Sequence, residues 1–99
     1  MPTGVVSAEP QFDWDDANHD HVARHAVSRG EAEQAICDPH AAMLDIQYLE
    51  VEERSKIVGM TKAGRILTVL FTFRKGLVRP ITAYDATPKD VEVYLKGRR

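Results

Sequence analysis

The chain has 99 residues, with 15 acidic and 13 basic side chains, a formal charge of -2, and a single cysteine. That length holds one small domain, and a 43% apolar share is enough to build a core, so wholesale disorder is excluded. Cys37 has no internal disulfide partner, the N-terminus has no charged region followed by an apolar run, and no stretch is long enough to span a bilayer. These features predict a cytoplasmic location and no membrane association. The charge is unevenly divided. Residues 1–50 carry ten acids against two bases, a charge of −8; residues 51–99 carry eleven bases against five acids, a charge of +6.

Residues 1–11 lack periodicity and read as a loose arm, leaving 12–97 as the domain. Asp15 or Asp16 can cap a first helix running to about Ala26, its carboxylate accepting otherwise unpaired backbone N–H groups. Ser28 and Glu31 form a capping box for a second helix over 29–37, which must end near Asp38 because Pro39 disfavours a helical residue before it. The periodicity then becomes strand-like, with candidate strands at 42–49 and 54–61. The run 65–73 is the strongest, with Leu67, Val69, Phe71 and Phe73 on one side and Ile66, Thr68, Leu70 and Thr72 on the other, which marks it as central. A fourth strand covers 77–84, and Pro80 inside it predicts a bulge or an edge position. Thr87-Pro88-Lys89-Asp90 opens a terminal helix. The expected fold is α+β, order α-α-β-β-β-β-α, an antiparallel meander with its helices on one face.

Alternation puts Arg54 and Lys56 on one side of their strand, with Glu52 in phase before them. If Arg79 shares that face, three cations and an acid stand together. Tyr84 joins Arg79 only if a bulge at Pro80 shifts the phase. Such a surface suits cleavage of a phosphodiester without a metal, where a base takes a 2′-hydroxyl proton and cations hold the developing charge. The same pattern also describes a solvated sheet face. His21, His25, Cys37 and His40 raise the alternative of structural zinc, although their order is unlike the usual paired-ligand knuckle, and no cofactor is expected. His25 is otherwise a packed histidine or a proton-transfer group. Phe12 and Trp14 can anchor a first strand or stack on a base.

The segments Phe12-Asp13-Trp14-Asp15, Arg24-His25-Ala26-Val27 and Asp38-Pro39 resemble the opening blocks of the BrnT-type toxins. Glu53-Arg54, Val58-Gly59, Gly64-Arg65-Ile66-Leu67-Thr68-Val69 and Arg79-Pro80-Ile81-Thr82-Ala83 resemble that family's later blocks. The resemblance implies a RelE-like fold and a ribonuclease toxin of a bacterial type II toxin–antitoxin pair. It implies an endoribonuclease held in check by a cognate antitoxin, often of ribbon-helix-helix type, with operator DNA engaged only through that antitoxin. Carried over by position, His25, Glu53, Arg54 and Arg79 become catalytic candidates, with Tyr84 as an acid or a stacking ring, and Lys56, Arg65 and Trp14 as RNA contacts. Three positions depart from the family pattern: Ala26 stands for a glycine, Ser55 for a second arginine and Tyr84 for an arginine. Losing two guanidinium groups weakens phosphate binding, so a toxin-like module that only binds a partner or RNA is the alternative.

Overall fold

The computed structural model describes residues 10–49 and 51–97. The elements follow the expected order: α1 (Asp16–Ala23), α2 (Arg29–Cys37), β1 (Ala42–Tyr48), β2 (Glu53–Met60), β3 (Ile66–Arg74), β4 (Leu77–Asp85) and α3 (Pro88–Gly97). The strands form one antiparallel sheet in the order β1-β2-β3-β4, so β3 is an inner strand, as its two apolar faces require. No helix among the described residues is long and apolar enough to cross a membrane. The expected loose arm over residues 1–11 lies outside the described residues except for Pro10 and Gln11. Gln11 already accepts a hydrogen bond from the Val78 N–H, and Phe12 bridges Val78 in parallel, so the chain enters as a short extra strand beside β4.

Local signals explain the helix limits. Asp15 caps α1 by accepting from the Asn18 N–H, and Asn18 reciprocates at the Asp15 N–H. Ser28 and Glu31 do the same for α2, at 3.1 and 3.0 Å. The first helix is shorter than expected. It stops at Ala23, and the chain closes in a Schellman motif, with Val27 N–H bonding Val22 O and Ala26 N–H bonding Ala23 O. Ala26 takes the left-handed position of that motif, at φ 56°.

The register sorts side chains onto two faces. One face carries Ile57, Leu67, Val69, Phe71, Val78 and Ala83, which pack with Val22, Val27, Ala32, Ala35 and Ile36 from α1, α2 and the turn between them. β2 comes so close to α2 that a Cβ at Gly59 would stand 2.1 Å from the Ala35 carbonyl oxygen. α3 corrects the expectation that all helices share a face. It lies over the opposite side, where Asp90 accepts from the Thr68 hydroxyl at 3.0 Å. Val58, paired with Thr68 and fully buried, explains this placement: β2 and β3 are apolar on both sides at one end and need a second cover.

Asp38 joins the layers. Its Oδ2 accepts from the Tyr94 hydroxyl at 2.6 Å and from the Met60 N–H at 2.9 Å, and its Oδ1 accepts from the His40 N–H. Burial alone would push this carboxyl up, but the hydrogen bonds from Tyr94, His40 and Met60 outweigh it and hold the group below its ordinary value of 3.8. Beyond the helices, Met43, Ile46, Tyr48 and Phe73 remain exposed, Tyr48 at 76%.

Gly59→Ala should destabilise the domain by about 3 kcal/mol, because a backbone carbonyl rather than a flexible side chain must give way; urea unfolding measures it. Asp38 binds its proton more weakly folded than unfolded. Its stabilisation is therefore complete above the unfolded value near 3.8 and is lost as pH falls through the lower folded value. Unfolding midpoints taken from pH 6 to pH 2.5 should fall less steeply for Asp38→Asn than for the unaltered chain, with the variant already weaker at pH 6.

Candidate active site

Three strands and one helix converge on a cationic depression at the end of the sheet left open by α3. Thr72 on β3 faces Arg79 on β4, and the Ser55–Phe71 pair beside it sets Arg54 on β2 in the same row. Arg74 follows two residues after Thr72, hence on the same face. From the edge of β4, α1 adds Asn18 and His21. Together with Glu52 these side chains line a depression of about 200 Å³.

The bulge makes this grouping possible. Leu70 pairs with Thr82 and Phe71 with Pro80, so Ile81 is the extra residue and the phase of β4 reverses across it. Arg79 and Tyr84 therefore share a face, whereas Ala83, placed with Arg79 by simple alternation, is buried in the core. Pro80 needs no ladder donor there, and its carbonyl accepts from Asn18 Nδ2 at 2.8 Å.

The arginines differ in how far their charge is already answered. The Arg79 side chain is 11% exposed and spans Asp13 at 3.3 Å and Asp15 at 3.0 Å. The Asn18 N–H, and then the Arg79 guanidinium, hold the Asp15 carboxyl below its ordinary value. Arg54, 36% exposed, donates from Nε to Glu52 at 2.5 Å, which leaves its terminal nitrogens for another acceptor. Arg74 makes no ion pair among the described residues. A doubly bonded anion such as a phosphate suits forked guanidinium donors in this arrangement.

The remaining sequence candidates lie elsewhere. Lys56 is on the same face as Arg54 but lines a neighbouring depression with Tyr84. His25 meets the Tyr84 ring edge-on, with ring centres 5.8 Å apart, and is not among the residues lining the arginine depression. Glu53 falls on the opposite face of β2 from Arg54, and Glu52 takes the place beside it. Trp14 donates to Glu33 at 2.8 Å and lies under Arg29, pinning the entering segment to α2. Arg65 spans Asp85 and Glu31 and donates to the carbonyls of Ala26 and His25. Among the described residues no three His, Cys, Asp or Glu side chains are placed to hold a metal ion.

Sequence reasoning passed over Arg74, just beyond the expected third strand, and His21, weighed only as a zinc ligand. Alternation from Thr72 was the available signal for the first; for the second it was the one-turn offset from His25. Another depression, of about 650 Å³, lies between α2 and the end of β2 and is lined by Phe12, Cys37, Met60 and Lys62 among others. Its one cation and its thiol, whose pKa burial pushes up, offer little to a phosphodiester.

A family model described as "Ribonuclease toxin, BrnT, of type II toxin-antitoxin system" matches residues 14–90. The chain belongs to the BrnT family. No curated protein matches it at a significant level. Within a BrnT chain the departures now have locations: Ser55 is buried on the core face of β2, Tyr84 stands beside Lys56, and Ala26 holds a backbone conformation suited to glycine.

Left-handed backbone costs a residue with a Cβ about 1–2 kcal/mol, and glycine's extra freedom when unfolded returns about 0.4–1 kcal/mol of that. Ala26→Gly should therefore raise unfolding stability by about 0.5–1 kcal/mol, and a fall on thermal or urea unfolding would show that the turn is unstrained.

Proposed function

We propose that this protein is the ribonuclease of a type II toxin–antitoxin pair, cleaving single-stranded RNA at the arginine depression without a metal. The observation that carries the reading is the convergence of Arg54, Arg74 and Arg79 with His21 and Glu52 on the uncovered end of the sheet. Family membership supports the toxin–antitoxin assignment.

In this reading the guanidinium groups hold the scissile phosphate. His21 lines the depression with the arginines, and the lone pair of its neutral imidazole accepts the 2′-hydroxyl proton. The 2′ oxygen bonds phosphorus, the bond from phosphorus to the 5′ oxygen breaks, and the departing oxygen takes a proton from solvent. A 2′,3′-cyclic phosphate and a 5′-hydroxyl result. Arg54 and Arg74 stabilise the charge gained on the way, and Glu52 fixes the Arg54 fork. Arg79 is the anchor, already seated on Asp13 and Asp15. A cognate antitoxin, of ribbon-helix-helix type, inhibits by covering this surface and carries the pair to operator DNA. The exposed Met43, Ile46, Tyr48 and Phe73 are consistent with a chain that works in complex. The pairing of Arg79 with two carboxylates favours the alternative, a module that binds without cleaving.

Purified protein incubated with single-stranded RNA and EDTA should give cyclic-phosphate ends. Arg54→Ala and Arg74→Ala should each lower the rate by about 100-fold, as expected for loss of one preorganised charge donor, with unfolding midpoints unchanged. No cleavage, or equal rates for Arg54→Ala and the unaltered protein, leaves the binding module.

A further inference from the structure

The same sheet face carries a second depression, of about 470 Å³, between the strands and the start of α3. Its residues are of a different kind from those of the arginine depression: Asp45 on β1, Lys56 on β2, Tyr84 on β4, and Thr87, Lys89 and Asp90 around the first turn of α3. Two cations and two carboxylates cancel, so nothing here favours a bare phosphate. The aromatic ring, held from one side by His25 at 5.8 Å between centres, offers instead a surface for a flat heterocycle.

We infer that this depression is a nucleobase subsite that receives a base next to the scissile phosphate and selects bases bearing an exocyclic amino group over uracil. The inference rests on the proposed cleavage of RNA at the arginine depression. Register supplies the adjacency. Lys56 pairs with Leu70, and Leu70 with Thr82, in the row next to Thr72 and Arg79; Tyr84 pairs with Thr68 in the row after. Along a strand these steps amount to about 7 Å from Arg54 to Lys56 and about 13 Å from the Arg79 row to the Tyr84 row.

Selectivity follows from which hydrogen-bonding groups are acceptors. Asp45 pairs with Lys56 across the strands, and among the described residues its Oδ1 accepts only from the Ile46 N–H of its own strand. Asp90 gives Oδ2 to the Thr68 hydroxyl, and its Oδ1 has no partner among the described residues. Carboxylates accept from an amino group such as N4 of cytosine or N6 of adenine, while Lys56 and Lys89 donate to the ring nitrogen or carbonyl beside it. Uracil presents a carbonyl oxygen where those bases present the amine, so acceptor meets acceptor and a polar group is left unpaired.

Two measurements test the subsite, one of them independent of cleavage. Sequencing of the ends produced from randomised single-stranded RNA should show uridine depleted about tenfold at one position flanking the cut, and Asp45→Asn, which supplies a donor in place of an acceptor, should bring uridine to parity. Tyr84→Ala should weaken the preference at that position and Tyr84→Phe should retain it, since the ring and not the hydroxyl does the stacking. Anisotropy with non-cleavable 2′-O-methyl hexacytidine and hexauridine should give about tenfold tighter binding of the cytidine strand, a ratio erased in Asp45→Asn. Cleavage with uridine at parity at every flanking position, or a cytidine-to-uridine binding ratio unchanged by both Asp45→Asn and Tyr84→Ala, overturns the subsite. Absence of cleavage with the binding ratio intact overturns the ribonuclease reading and leaves the subsite standing.

Discussion

One carboxylate fastens the two helical layers to the sheet between them. Asp38 ends α2, meets the backbone of β2 at Met60 and receives the hydroxyl of Tyr94 from α3. A half-buried acceptor with three donors stabilises most while all of them are in place. The junction therefore fixes where both helices lie relative to the strands. Because α3 is drawn to that end, over Val58 and Thr68, the other end of the same face stays uncovered. Arg54, Thr72, Arg74 and Arg79 occupy that opening. The proposed functional surface is thus what remains of a two-sided sheet after one short helix has covered what it can reach.

Much of the fold was legible because the signals were local and agreed with one another. Ser28 with Glu31, Pro39 after α2, and Thr87 with Pro88 each mark a helix end through capping hydrogen bonds or proline sterics that need no tertiary context. The uninterrupted Leu67–Phe73 alternation could only be an inner strand. The side of the sheet taken by α3 was not legible. It depends on the apolar character of β2 and β3 on their second face, and on a hydroxyl at Tyr94 reaching a carboxylate 56 residues away.

The site was legible in part for the same reason. Alternation united Arg54 with Lys56, and Pro80 signalled the irregularity that turns Arg79 and Tyr84 to one face. Alternation says nothing of how far a face divides. Lys56 stands in a different depression from Arg54, and Asn18 and His21 join the arginines from α1, whose crossing of the β4 edge has no sequence period. Charge division by halves likewise gave only a direction. The acidic half approaches the basic surface through Asp13 and Asp15, which seat Arg79 and keep it from solvent. Motif residues such as Trp14 and Arg65 were visible, yet their contacts are with Glu33, Glu31 and Asp85 of the chain itself.

The left-handed turn at Ala26 is gripped from outside by Arg65, which donates to the carbonyls of both Ala26 and His25 while resting on Glu31 and Asp85. A bend held in this way does not need its own residue to prefer the bend. A residue with a Cβ is tolerated at the left-handed position while the distant arginine holds the carbonyls on either side of it. Loss of Arg65 would therefore cost this turn more with Ala26 in place than with a glycine there, because alanine gives the left-handed backbone no help of its own.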